Sequence, residues 1–254
     1  ALANNHVLDW DIAGLQETLA TLDAAGIRRA GAGRNLEEGM APAVISVPGK
    51  SRVLVFSCGL ESSGIVSRWA ADSQQPGVQL LPDLSMTSVD TLAEQVRHIK
   101  RADDIAIASI HWGGNWDYSI SRQQRDFAHG LVDRAGTDVI HGHSSHHVKG
   151  IEVYKERPIL YGCGDLLSDY EGITGHEEFR GELGLMYFLS MEPATGRLQR
   201  FEMMPTRLRK LRINRASTEE AQWLAEVLNR EGLPLGSRAV LGEDLRLTLQ
   251  WSSA

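Results

Sequence analysis

The chain has 254 residues, 42% of them hydrophobic and 23% charged, and a net charge of −7 at pH 7. That length can bury a sizeable core, and the composition is ordinary for a globular protein. The negative balance argues against a broad surface for nucleic acid or anionic membrane, the local basic run Arg207 to Arg215 excepted, and no apolar run approaches the ~20 residues of a membrane helix.

Ala1-Leu2-Ala3 reads as the tail of a strand whose beginning lies upstream, so preceding residues, a targeting segment or membrane anchor among them, are expected. Apolar residues at Ile12, Leu15, Leu19 and Leu22 predict a helix over Asp11–Ala25 that stops at Gly26. Val44–Val47 and Arg52–Ser57 are β-branched runs joined by Pro48-Gly49-Lys50-Ser51, a hairpin pattern. Gly59–Pro82 is rich in Ser, Gly and Pro and reads as a long ordered loop. Ser88 opens a helix with Val89, Leu92, Val96 and Ile99 on one face, and a strand follows over Ile105–Ile110. A further helix, Ser121–Ala135, ends at Gly136 and precedes a strand over Asp138–Ile140. Two hairpins come next, Gly150–Tyr154 with Pro158–Tyr161, then Leu183–Met191 with Arg197–Met204. Ser217 caps a helix over Glu219–Arg230, with Trp223 and Leu224 inward, and a last strand covers Leu245–Trp251. Strand–helix alternation followed by hairpins predicts a mixed-sheet α/β protein. A domain over residues 1–205 carries a C-terminal extension, 206–254.

The chemistry concentrates in three segments. Asn4-Asn5-His6 lies near the start, His111-Trp112-Gly113 follows a buried strand, and His141-Gly142-His143-Ser144-Ser145-His146-His147 follows another. Five of the nine histidines sit in the last two segments. Imidazoles at strand ends face the crevice where α/β proteins hold ligands. Neutral imidazoles joined by an amide oxygen suit a borderline divalent cation such as Zn, Mn or Fe. The plain alternatives are a polar turn rich in histidine, a strand-end His111, and an Asn4-Asn5 turn. Trp112 and Trp116 flank a pocket or pack in the core. Asp9 either orients His6 or, the reading preferred here, caps the following helix. Asp165, after Gly162-Cys163-Gly164, either accepts a hydrogen bond from a ligand histidine or finishes a turn. His98, His129 and His176 read as solvated surface, and Cys58 and Cys163 as buried thiols rather than a disulfide or zinc ligands.

Together, Leu2-Ala3-Asn4-Asn5-His6-Val7-Leu8-Asp9, His111-Trp112-Gly113, Gly142-His143-x-x-His146 and Gly150-Ile151-Glu152-Val153-Tyr154 resemble the CapA or PgsA family of poly-γ-glutamate capsule biosynthesis. Gly26-Ile27 with Gly31-Ala32-Gly33, and Ala135 to Ile140, match as well, and the resemblance runs from residue 1 to about residue 190. It implies the four-layer α-β-β-α sandwich of the calcineurin-like metallophosphoesterases, N-terminally incomplete here. By the same resemblance Asn5, His111 and His143 share one metal ion, His146 faces a second, and His6 protonates the leaving group. The family's N-terminal Gly-Asp and Asn-Leu-Glu segments have no counterpart in this chain. The spacing of His143 and His146 is one residue longer than in typical phosphoesterases, and Gly164-Asp165-Leu166 stands where Gly-Asn-Phe is common.

Two functional expectations follow. The first is a metal-dependent hydrolase of phosphoesterase type in capsule biosynthesis, with one or two Mn, Fe or Zn ions and an anionic polymer or phosphoester as substrate. The second is a non-catalytic, metal-containing component of anionic polymer synthesis or export, working with other capsule-synthesis components. The resemblance implies a cell-surface or membrane-associated setting, although no signal or anchor lies within these residues.

Overall fold

The computed structural model describes residues 1–49, 51–168 and 173–252. The chain divides into two units. The first comprises Ala1–Gly114, Ser121–His141 and Pro193–Gly196. The second comprises Asn115–Ile120, Gly142–Glu192 and Arg197–Ala254.

In the first unit, helix α1 (Asp11–Ala24) buries Leu15 and Leu19 in a cluster with Ala3, Leu8, Ile65 and Val78. Ile12, expected on the same face, is 42% exposed. Strand β1 (Ala32–Gly33) pairs with β4 (Gly77–Val78), the latter inside the region read as loop, and a short helix α2 (Leu36–Met40) lies between them in sequence. Strands β2 (Ala43–Ser46) and β3 (Arg52–Gly59) pair antiparallel as the hairpin pattern predicts, and of the connecting turn Lys50 lies outside the described residues. Strand β5 (Ile105–His111) runs parallel to β3, in register from Val53 with Ile105 to Gly59 with His111. The strand order β2-β3-β5-β6 continues into β6 (Val139–His143), of which Val139, Ile140 and His141 belong to this unit.

The crossover between β3 and β5 includes helix α3 (Met86–Ile99), with Val89, Leu92, Ala93 and Val96 buried. Its N-cap is Ser85, not Ser88. Ser88 instead is buried and donates to Asp83 at 2.9 Å. Helix α4 (Arg122–Gly130) opens with a capping box of Ser121 and Gln124, widens into a π turn over Leu131–Ala135, and stops at Gly136, whose φ is +64°. The starts of the strands are pinned by charge. Arg52 pairs with Asp104, while Lys100 Nζ and the Ala106 amide both reach Asp138 Oδ2, at 2.6 and 2.8 Å. The opposite ends of β3 and β5 place Gly59 beside His111.

In the second unit, β7 (Ile151–Tyr154) and β8 (Arg157–Leu160) form the expected hairpin, with Lys155 and Glu156 both at positive φ as a two-residue turn demands. A five-stranded sheet follows. Long strands β9 (Leu183–Glu192) and β10 (Arg197–Leu208) pair antiparallel, and β10 runs unbroken through residues 205 and 206. Strand β11 (Ile213–Arg215) extends the edge of β10. Helix α5 (Thr218–Gly232), opened by a Ser217–Glu220 capping box, buries Leu224 and leaves Trp223 half-buried beneath the Arg180 guanidinium. Strand β12 (Ser237–Leu241), not foreseen from the sequence, pairs with β13 (Leu247–Trp251). The protein is mixed α/β with several sheets, as the alternation predicts.

Candidate functional site

The first unit gathers two of the three predicted segments. His111 ends β5 and is 7% exposed; its carbonyl accepts the Leu60 amide at 3.0 Å and the Ser63 hydroxyl at 2.9 Å. Its Nε2 lies 3.0 Å from Asn5 Oδ1. Gly64 backs this asparagine: at φ +86° a Cβ there would stand 3.3 Å from Asn5 Nδ2. Asn4 and Asn5 divide the two readings of their dipeptide. Asn4 Oδ1 accepts the His6 amide at 2.9 Å and makes the turn, whereas Asn5 turns to His111.

His6 is exposed, and its Nδ1 meets Asp9 Oδ2 at 2.8 Å. Capping was the preferred role for Asp9, and the structure corrects it. The N-cap position of α1 is Trp10, without a side-chain cap, so Asp9 is free to fix the imidazole. Trp112 packs edge-on against Phe127 in the core, and Gly113 turns the chain at φ +76°. His141 lies 3.0 Å from Ser109 Oγ through Nδ1, and desolvation pulls its pKa down to about 4.

The second unit holds the rest of the histidine segment. His143, half-buried, ends β6. His146 Nδ1 is 2.8 Å from Asp165 Oδ2, and this carboxylate holds His146 above the ordinary imidazole value against the opposing effect of burial. Asp165 therefore supports a histidine rather than only finishing a turn. Donation from Nδ1 leaves Nε2 of His146 as the atom for a ligand. The close approach expected of the flanking glycines is present. A Cβ at Gly162 would lie 2.3 Å from Ser145 Oγ, and one at Gly164 would lie 3.1 Å from the His147 backbone.

His147 is 1% exposed among Trp116, Tyr118 and Phe179, and burial lowers its pKa to about 4. Trp116 stacks on His146 at 5.1 Å and on His176 at 4.5 Å, the latter nearly parallel at 6°. His176, read as surface, is thus part of an aromatic stack. Its partner lies sixty positions away in sequence, so no local signal announces it. Lys149, which sequence reasoning passed over, is 4% exposed and donates to Ser119 O at 3.0 Å, tying down the segment that carries Trp116. Beside the stack opens a cleft of about 580 Å³, lined in part by His146, His176, Arg180, Arg207 and Arg209. Cys58 and Cys163 are free and buried, and burial pushes both thiols up.

Whether a divalent cation fits can be judged from the donors. Two ligands at ~2.1 Å from one ion stand about 3.0–3.4 Å apart, and Asn5 Oδ1 and His111 Nε2 have that spacing. One is an amide oxygen and the other a buried imidazole nitrogen, so the pair fits an ion as two of its ligands. Among the described residues, no three His, Cys, Asp or Glu side chains gather into a group that would hold a metal by themselves. No helix among the described residues is long and apolar enough to cross a membrane.

The family described as "Bacterial capsule synthesis protein PGA_cap" matches residues 1–170. A Mycobacterium tuberculosis protein named "Probable polyglutamine synthesis accessory protein" is 46% identical over 245 residues, covering 96% of this chain and 64% of the relative. The Bacillus subtilis "PGA biosynthesis protein CapA" is 31% identical over 204 residues, 80% of this chain and 49% of the relative. The Bacillus anthracis "Capsule biosynthesis protein CapA" is 28% identical over 168 residues, 66% of this chain and 39% of the relative. The chain thus spans less than two thirds of the length of each of these relatives.

Proposed function

The chain belongs to the bacterial capsule synthesis family PGA_cap, and from that premise we propose that it acts in capsule or poly-γ-glutamate biosynthesis as a metal-dependent hydrolase of phosphoesterase type. The observation that carries this reading is the meeting of Asn5 Oδ1 and His111 Nε2 at 3.0 Å, two polar donors brought together from positions 106 residues apart. A divalent cation held there supplies Lewis acidity at a phosphoryl oxygen. His143 and His146 enter the ligand set through the family resemblance, and Asp165 fixes the ring of His146. The four-layer sandwich of the metallophosphoesterases belongs to the same reading, which the mixed α/β content supports.

The chain's own residues supply the proton chemistry. His6 stands exposed, where a substrate reaches it, and Asp9 takes its Nδ1 proton in a hydrogen bond. That bond presents Nε2 outward, so His6 can give a proton to a leaving oxygen. Asn4 holds the backbone from which it projects.

The name of the mycobacterial relative, an accessory protein, favours a second reading in which the chain is a non-catalytic, metal-containing component of polymer synthesis. Turnover of mono- and bis-aryl phosphates and of γ-linked polyglutamate across Mn, Fe and Zn separates the two. Hydrolysis abolished by His6→Ala with metal retained supports the enzyme. Metal bound with no turnover of any of these substrates supports the accessory role.

A further inference from the structure

We propose that the cleft of the second unit binds a carboxylate-bearing chain, with carboxylates pairing to Arg207 and Arg209 and the intervening methylene stems lying on the Trp116–His176 stack. The choice of an acidic oligopeptide rests on the capsule-polymer reading above; the argument for the site itself rests on three features of the cleft.

First, the cleft has free cationic capacity. Arg180 is already engaged, with Glu182 at 3.2 Å and the Trp223 ring at 5.2 Å. Arg207 Nη1 meets Glu220 at 2.5 Å, but its Nε–H is buried with no hydrogen-bond partner among the described residues. The Arg207 side chain as a whole keeps 38% of its surface exposed. Arg209 has no side-chain partner among the described residues either.

Second, Arg209 is held in place. Its amide donates to Arg212 O at 3.0 Å, its carbonyl accepts the Arg212 amide at 3.3 Å, and Asn214 Nδ2 also reaches that carbonyl. Lys210 and Leu211 lie at positive φ in this tight β10–β11 turn. The turn fixes the backbone from which the guanidinium projects, and its planar fork matches a carboxylate.

Third, the walls suit a carboxylate better than a more highly charged phosphate. Asp165, Glu177 and Glu182 also line the cleft, balancing its three arginines, so a dianion would meet repulsion that a monoanion largely escapes. The parallel Trp116–His176 stack, with Ile173 and Leu208, offers apolar surface for the stem of each acidic side chain.

The test titrates the full chain, in EDTA, with a short γ-linked oligoglutamate, its neutral γ-linked oligoglutamine counterpart and inorganic polyphosphate, reading heat and tryptophan fluorescence. Oligoglutamate is expected to bind, the neutral chain not to bind, and affinity to fall with salt. Arg209→Ala should weaken binding about tenfold, and His176→Ala should weaken it while removing much of the fluorescence change. Both residues lie at the surface of the unit, and circular dichroism verifies that each variant is folded. Equal affinity for the neutral chain, unchanged affinity in both variants, or binding of polyphosphate alone would overturn the proposal. Because metal is absent from the titration, it reads binding alone; oligoglutamate binding in EDTA with no turnover of any phosphate or polyglutamate substrate in metal-replete buffer would sink the hydrolase and leave this site standing. Aryl phosphate turnover without oligoglutamate binding would do the reverse.

Discussion

His6 and Asp9 stand one helical turn apart, Nδ1 to Oδ2 at 2.8 Å, just ahead of α1. The aspartate occupies the place where a helix cap is expected, yet it serves a side chain instead of the backbone. If His6 is the proton donor, His6→Ala should lower turnover by ~10²–10⁴-fold with metal content unchanged. Asp9→Asn, which loosens the ring without removing it, should cost about tenfold. Measured kcat with metal analysis of each variant checks both; an unaltered kcat in His6→Ala removes the acid role.

The bond from Asp165 to His146 leads to a separate expectation. Asp165→Asn should weaken metal binding by about 10–100-fold without loss of fold, read by competition with a chelator. A metal affinity equal to that of the parent chain would show that Asp165 only shapes the loop behind Gly164.

His147 gives a pH dependence of fixed sign. Its pKa is about 4 in the folded chain against an ordinary 6.5, because burial among aromatic rings penalises the imidazolium. Below pH 6.5 the unfolded chain takes up a proton that the folded chain refuses until about pH 4. Stability is therefore full above 6.5, declines as the pH falls, and levels off below about 4, with ~2 kcal/mol lost at pH 5. His147 Nε2 has no partner among the described residues, and Nδ1 lies 3.2 Å from the Val148 carbonyl, which His147→Phe leaves without that donor at every pH, so the readout is the pH dependence of the variant and not its absolute stability. This variant should gain on the parent by about 2 kcal/mol between pH 8 and pH 5. Denaturation curves of identical pH dependence would contradict the assignment.

Lys149 fastens the segment Asn115–Ile120. Its ammonium donates to Ser119 O at 3.0 Å and lies 3.4 Å from Asp117, while His146 N reaches Asn115 O at 3.1 Å at the other end. Lys149→Met should cost about 1–3 kcal/mol through the stranded carbonyl and loosen Trp116 against His176. Chemical denaturation and tryptophan fluorescence report the two effects; a neutral substitution would show that the aromatic stack alone fixes the segment.

The alternation of strands and helices was legible because apolar runs such as Ile105 to Ile110 are buried on both faces of a parallel pair and so read as continuous. The hairpins were legible from their turn residues, Gly196 at φ +66° among them. Strands of two residues such as β1 and β4 carry no period: β4 falls in the segment that reads as loop, and nothing in the sequence marks β1. Strand β12, Ser237–Leu241, alternates buried and exposed over too few residues to stand out beside Gly236. At the site, the histidines announced themselves by type and by position at strand ends. Their supports did not: Asp9 satisfies a capping pattern as well as it orients a ring, His176 depends on Trp116 sixty positions away, and Lys149 is charged yet buried. Long-range stacking and buried ion pairs leave no local periodicity, which is why they emerge only from coordinates.

The measurement closest to the centre of this account is the metal content of the purified chain after growth in metal-replete medium, compared among the parent, Asn5→Ala and His111→Ala. Stoichiometric Mn, Fe or Zn in the parent, lost in His111→Ala and reduced in Asn5→Ala while circular dichroism stays unchanged, is the predicted result. A folded parent chain without bound metal, or variants that retain the parent's full content, would contradict it.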